Sequence, residues 1–200
     1  MTHLIKARQA TFARNGEAVF APVDLTLGPG EALIVLGPNG CGKTTLLRLL
    51  AGIIRPWQGE VTRSCTPAFL GHLPAFKGDL SCRENLAFQR RFHGGGQGLD
   101  ENRALARVGL AGLGLRPART LSAGQKRRLG LAGLLVAPRE LWLLDEPYAS
   151  LDDAGCNLVD GLLAEHLAAG GAVALSAHQR KPILEVELIR LELAVAQVVS

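Results

Sequence analysis

Residues Gly37-Pro38-Asn39-Gly40-Cys41-Gly42-Lys43-Thr44 spell the pattern GxxxxGK[ST], between an apolar run and a helical pattern. The run before it, Ala32 to Leu36, reads as a buried strand. Lys43 to Ala51 follows with Leu46, Leu47, Leu49 and Leu50, then Gly52 as a helix stop and Pro56 beyond. Strand, glycine loop and helix in that order make a cradle for an anion. Glycines let backbone N–H groups turn inward around phosphate oxygens with no Cβ in the way. The positive end of the helix dipole points at the same place. Lys43 is placed to reach the β- and γ-phosphates, and Thr44 to give its hydroxyl to Mg²⁺. The nucleotide-contacting set is therefore Gly37, Pro38, Asn39, Gly40, Cys41, Gly42, Lys43 and Thr44, with Thr45 beside them. For the Cys41 thiol two readings stand: a group sensitive to alkylation and protected by nucleotide, or a small residue with no role.

The alternation of strands and helices recurs. Ala123 to Ala137 is helix-like and closed by Pro138; Leu141 to Leu144 is a buried strand ending in Asp145. Leu158 to Ala168 reads as a helix, and Ala172 to Ala177 as a strand ending at His178. This order argues for an α/β fold with a mostly parallel core sheet. In such sheets ligands sit at the carboxyl ends of strands. The loop from Gly37, the Asp145-Glu146 pair and His178 all fall at such ends, which points to one shared site. The segment Leu4 to Leu27 alternates more loosely, turns at Asn15-Gly16, and reads as antiparallel strands at one edge. Residues Ser81 to Ala118 look mostly helical. The tail from Ile183 to Val199 alternates as a strand would, with helix as the other reading.

Two hundred residues suit one or at most two domains and are enough for a sizeable core. The longest apolar stretch, Leu129 to Ala137, is far short of a membrane span. Lys6 and Arg8 interrupt the only early apolar residues, so no signal peptide is expected and the protein should stay in the cytosol. Cys41, Cys65, Cys82 and Cys156 are scattered without a CxxC pair, which argues for reduced thiols over a zinc site. A charge of +4 and 4% aromatic residues argue against direct nucleic-acid binding.

Leu141-Trp142-Leu143-Leu144-Asp145-Glu146-Pro147 is an apolar strand ending in two carboxylates. Taken alone, these are also readable as two solvated loop acids. Beside a phosphate loop, Asp145 becomes a candidate Mg²⁺ ligand and Glu146 a candidate general base for an attacking water. Leu121-Ser122-Ala123-Gly124-Gln125 precedes a helix and is a complete capping box, with Ser122 at the N-cap and Gln125 three residues on.

The same pentapeptide resembles LSGGQ, the signature of ABC ATPases, and Gln125 stands 20 residues before Asp145 as in that family. With it, the resemblance covers nearly the whole chain. A phosphate loop (Walker A), the signature, an acidic strand end (Walker B) with Glu146, the D-loop-like Ala149-Ser150-Leu151-Asp152 and the switch-like His178 occur in the family's order. The resemblance implies a P-loop NTPase of the ABC-ATPase fold. That means a mostly parallel core sheet, an antiparallel edge sheet, and a helical signature subdomain over about 75–137, all in one nucleotide-binding domain of residues 1–200. It implies ATP and Mg²⁺ as cofactors, with catalytic roles for Glu146, His178 and Lys43. It also implies a homodimer closing head to tail around two ATP molecules, so that Ser122, Gly124 and Gln125 of one copy face the phosphate loop of the other. The family's metal-binding glutamine falls on His72 here, which makes Thr44, Asp145 and His72 the implied metal set. The adenine-stacking aromatic falls on Arg14, with Phe12 as the alternative, and Ala123 replaces the first glycine of the signature.

Leu70-Gly71-His72 with Pro74, Leu121 to Arg128, Gly109-Leu110-Ala111-Gly112 and Leu141 to Pro147 resemble the ATPase subunits of haem-export and cytochrome c maturation systems. That resemblance implies integral membrane transporter subunits as partners and a peripheral place on the cytoplasmic face of the bacterial inner membrane. ATP would drive release of haem from a periplasmic chaperone complex. Direct haem binding is not expected, because His3, His72, His93, His166 and His178 show no paired spacing. The alternatives are the ATPase of another small-solute ABC transporter and a soluble, non-transport ABC ATPase. The second usually carries long coiled coils or tandem cassettes, neither of which is seen here.

Overall fold

The structure is a computed structural model that describes residues 3–72, 76–94, 98–177 and 182–194. In chain order its elements are β1 (Ile5–Thr11), β2 (Ala13–Arg14), β3 (Glu17–Ala18), β4 (Val23–Leu27), β5 (Ala32–Leu36), α1 (Lys43–Ala51), β6 (Gln58–Arg63), β7 (Ala68–Leu70), α2 (Cys82–Phe92), α3 (Glu101–Arg107), a 3₁₀ turn at Ala118–Thr120, α4 (Ala123–Val136), β8 (Leu141–Asp145), α5 (Asp153–Ala168), β9 (Ala172–Ser176) and β10 (Leu188–Glu192). Five of the strands form a sheet in the order β10-β5-β9-β8-β7, every neighbouring pair parallel. Strands β4, β1 and β6 form a separate antiparallel sheet, and β2 pairs with β3 as a small hairpin.

The parallel sheet is apolar on both faces because each face is covered. Along β5, Ala32 and Ile34 join one buried cluster with Leu70, Trp142, Leu144, Val173 and Leu175, which packs against α2 to α5. Leu33 and Val35 point the other way, into a second cluster with the leucines of α1 and the inner residues Ile5, Ala7 and Leu27 of the antiparallel sheet. This two-sided burial explains why β5, β8 and β9 read as unbroken apolar runs.

Register sets the level of the site. Val35, Ser176 and Asp145 stand abreast across β5, β9 and β8. Leu70 pairs with Leu144, so Gly71 leaves β7 level with Asp145. The loops after β5, β7 and β8 therefore emerge side by side.

Two expectations need adjustment. The antiparallel sheet extends beyond Leu4 to Leu27, because its third strand is β6, whose mixed exposure and Gly59 conceal any alternation. Helix α5 begins at Asp153 rather than near Leu158, because the Asp152 carboxylate accepts the Gly155 N–H at 2.8 Å and caps an earlier start. In the tail, Leu188–Glu192 forms strand β10 in parallel register with β5, as the alternation predicts, and residues 195–199 lie outside the described residues. Among the described residues no helix is long and apolar enough to cross a membrane.

Candidate functional site

Strand β5 delivers the chain to Gly37, whose φ of 143° lies in the region that suits glycine. A Cβ there would stand 2.6 Å from the Cys41 sulfur and 2.7 Å from the Leu193 carbonyl oxygen. Gly42, with φ 103°, caps α1, and a Cβ on it would meet the Phe20 ring at 2.7 Å. No side chain caps this helix, and no acid lies in its first turn. Its N-terminal N–H groups thus stay available to an anion. Lys43 is 6% exposed, and its ammonium donates to the carbonyls of Gly37 at 2.8 Å and Pro38 at 2.9 Å, drawn across the loop. Cys41 is fully buried. Its thiol is out of reach of an alkylating reagent in this state, and the geometry favours the small-residue reading.

The loop meets the acidic strand end directly. Thr44 Oγ1 donates to Asp145 Oδ2 at 2.8 Å. The other carboxylate oxygen of Asp145 accepts from Ser176 Oγ at 2.7 Å, and the same hydroxyl accepts the Glu146 N–H at 2.9 Å. Asp145 is 1% exposed, and these bonds compensate its burial. A hydroxyl and a carboxylate side by side at the mouth of a phosphate loop are hard oxygen donors of the kind Mg²⁺ prefers, so the residues fit that ion. Glu146 stands one residue on, with a left-handed φ of 50°. For a non-glycine residue this is a strained backbone and a mark of a functional position. His72 Nδ1 lies 3.4 Å from Glu146 Oε2. The structure therefore brings His72 to the candidate base, while Asp145 is occupied by Thr44 and Ser176.

The signature turn is built as a capping box. Ser122 Oγ accepts the Gln125 N–H at 3.2 Å, and Gln125 Oε1 accepts the Ser122 N–H at 3.0 Å. Gly124 abuts the D-loop-like segment so closely that a Cβ would lie 2.7 Å from the Ser150 carbonyl oxygen. Ser122, Gly124 and Gln125 line a concavity of about 520 Å³ with Arg128, Ser150 and Asp152, and no residue of the phosphate loop is among its walls. Within one chain the signature thus lines a concavity to which the phosphate loop does not contribute.

Residues 20–149 match the family described as "ABC transporter". This chain is a member of the ABC transporter family. Among curated relatives, it is 46% identical over 203 residues to the "Cytochrome c biogenesis ATP-binding export protein CcmA" of Xanthomonas campestris pv. campestris, covering 96% of this chain and 95% of the relative. It is 44% identical to "CcmA 2" of Cupriavidus metallidurans, covering 90% and 91%. A solved ATP-binding cassette, captured as a post-hydrolysis dimer with ADP and Pi, superposes with a TM-score of 0.79 at 21% identity, covering 88% of each chain. The fold is that of the ABC ATPases, and this ABC chain binds and hydrolyses ATP.

Within this ABC fold the remaining candidates fall in different places. Arg14 is exposed at the tip of the β2–β3 hairpin, whose base lies against the phosphate loop through Phe20. Phe12, the alternative, packs against the core. Thr45 is half-buried in the first turn of α1. His178 lies outside the described residues. Sequence reasoning missed two residues at the ABC site. Ser176 is the last residue of an apolar strand, and a polar residue level with Asp145 was the available signal. Arg127 is buried on α4, and burial holds its guanidinium pKa down to about 10 against the opposing pull of Asp145 and Glu146. In the sequence it is only one of three adjacent basic residues, Lys126, Arg127 and Arg128.

Proposed function

We propose that this chain is the ATP-hydrolysing subunit of a transporter serving cytochrome c maturation, with haem export as the process it drives. The observation that carries the ATPase chemistry is the convergence of Thr44, Asp145 and Glu146 at the mouth of the phosphate loop. The relatives named for cytochrome c biogenesis, similar along almost the full length of both chains, support the assignment of cargo.

The roles of the residues follow from this reading. The N–H groups of the loop and of α1 bind the phosphates, and Lys43 exchanges its two carbonyl partners for phosphate oxygens. Thr44 and Asp145 would hold Mg²⁺, which neutralises charge on the phosphates and fixes their orientation. Glu146 accepts the proton of the attacking water. His72, beside Glu146, orients that carboxylate, and His178 is assigned to the γ-phosphate by its order in the chain. Arg14 stacks on the base as a planar guanidinium. Ser122, Gly124 and Gln125 act on the nucleotide of a second copy, because their opening is separate from the phosphate loop. The chain works as one nucleotide-binding domain, with its helical part over about 75–137. It assembles as a homodimer on integral membrane subunits at the cytoplasmic face of the inner membrane.

The test is haem staining of c-type cytochromes in the source organism after deletion of the gene, complemented by the wild type or by Lys43→Ala. The proposal expects the cytochromes to vanish and to return only with the wild type. Unaltered cytochromes in the deletion strain, with no second copy of the gene present, would remove the maturation role and leave an ABC ATPase of different cargo.

A further inference from the structure

Arg127 is the first charged residue on the buried face of α4, and it is 3% exposed. Its guanidinium is satisfied by four backbone carbonyls. Nη1 donates to Gly71 at 2.7 Å, Nε to Pro147 at 3.2 Å, and Nη2 to both Asp145 and Glu146. Every acceptor lies within one residue of His72 or of Glu146. A buried guanidinium without a direct carboxylate partner is costly, and a planar fork of fixed donors holds its acceptors at fixed separation. Glu146 is thereby held at both ends of its residue, its N–H on Ser176 and its C=O on Arg127, in the left-handed conformation it would otherwise leave. Helix α4 also starts at the signature turn, so the fork links that turn to the loops after β7 and β8.

We propose that Arg127 is a positioning residue for ATP hydrolysis, its guanidinium fork fixing the Glu146 backbone against the arm that begins at Gly71. The proposal rests on the reading of Glu146 as general base. It separates binding from turnover, because no donor of Arg127 reaches the phosphate loop.

The experiment measures ATP binding and steady-state ATPase in the assembled membrane complex for Arg127→Met, Arg127→Lys and Glu146→Gln, with thermal unfolding alongside. Met keeps much of the volume and removes every donor. Misplacing a catalytic group by about 1 Å costs on the order of 100-fold in rate. A folded Arg127→Met should therefore show that scale of loss in kcat, with KM for ATP within about twofold of the wild type. Lys, a point charge with three donors and no fork, should fall between the two. Wild-type kcat in folded Arg127→Met, or a parallel loss of binding and turnover, overturns the proposal. If the Met variant does not fold, Arg127→Lys decides: lowered kcat at unchanged KM upholds the role, and anything else overturns it. Glu146→Gln separates the two layers. Normal turnover there defeats the general-base reading itself, whereas an inactive Glu146→Gln beside a normal Arg127→Met defeats only the role of Arg127.

Discussion

Ser176→Ala deletes one hydroxyl and two hydrogen bonds. The hydroxyl is fully buried, donates to Asp145 Oδ1 at 2.7 Å and accepts the Glu146 N–H at 2.9 Å. Losing the bond to the carboxylate costs about 1.5–3 kcal/mol, and leaving a buried N–H without a partner costs about 1–3 kcal/mol. Asp145 keeps its second bond, to Thr44 at 2.8 Å, which limits the damage. With partial relaxation the expected destabilisation is about 2–4 kcal/mol. Urea unfolding should show a lower midpoint at unchanged slope. In the same variant Glu146 loses one of its two backbone anchors, so kcat should fall by about tenfold or more, while ATP binding through the phosphate loop persists. A destabilisation under about 0.5 kcal/mol together with an unchanged kcat would refute the reasoning, since that is the range of an ordinary surface substitution.

Two further outcomes follow from the geometry. Gly124→Ala places a Cβ 2.7 Å from the Ser150 carbonyl, so the signature turn must shift; overpacking of this kind costs about 1–3 kcal/mol, and an unchanged unfolding midpoint would contradict the close contact. His166 stacks on Trp142 with ring centroids 3.9 Å apart, and burial lowers its pKa from 6.5, against the pull of its bonds to backbone carbonyls. Its neutral form is the one the fold holds, so the unfolded chain binds the proton more readily. Stability is therefore complete above pH 6.5 and is lost as pH falls through the folded value. His166→Phe should flatten the fall in unfolding free energy from about pH 7 to about pH 5, and identical slopes in the two proteins would contradict the assignment.

What was legible in the sequence depended on where each signal lay. Strands β5, β8 and β9 are buried on both faces and so read as unbroken apolar runs, and α1 declares itself by its leucines and Gly52. The meeting of Thr44 with Asp145, 101 residues apart, was anticipated from motif order and strand ends. Strand β6 was not, because its residues are mostly exposed and it exists through pairing with β1, a long-range event without local periodicity. Ser176 and Arg127 escaped for a related reason. A lone serine or arginine has meaning only once the register sets Ser176 beside Asp145 and the packing of α4 sets Arg127 beneath the strand ends. The closeness of His72 to Glu146 likewise depends on the Leu70–Leu144 pairing, which no local pattern encodes.

The central claim is that Glu146 performs the proton transfer at a site assembled by Thr44, Asp145 and the phosphate loop. The most direct test is ATP turnover by Glu146→Gln in the assembled complex, measured with nucleotide retention in the same sample. The expected result is ATP binding close to the wild type and a loss of turnover of at least about 100-fold, the low end of what a general base supplies. Hydrolysis at the wild-type rate, with ATP bound normally, would contradict it.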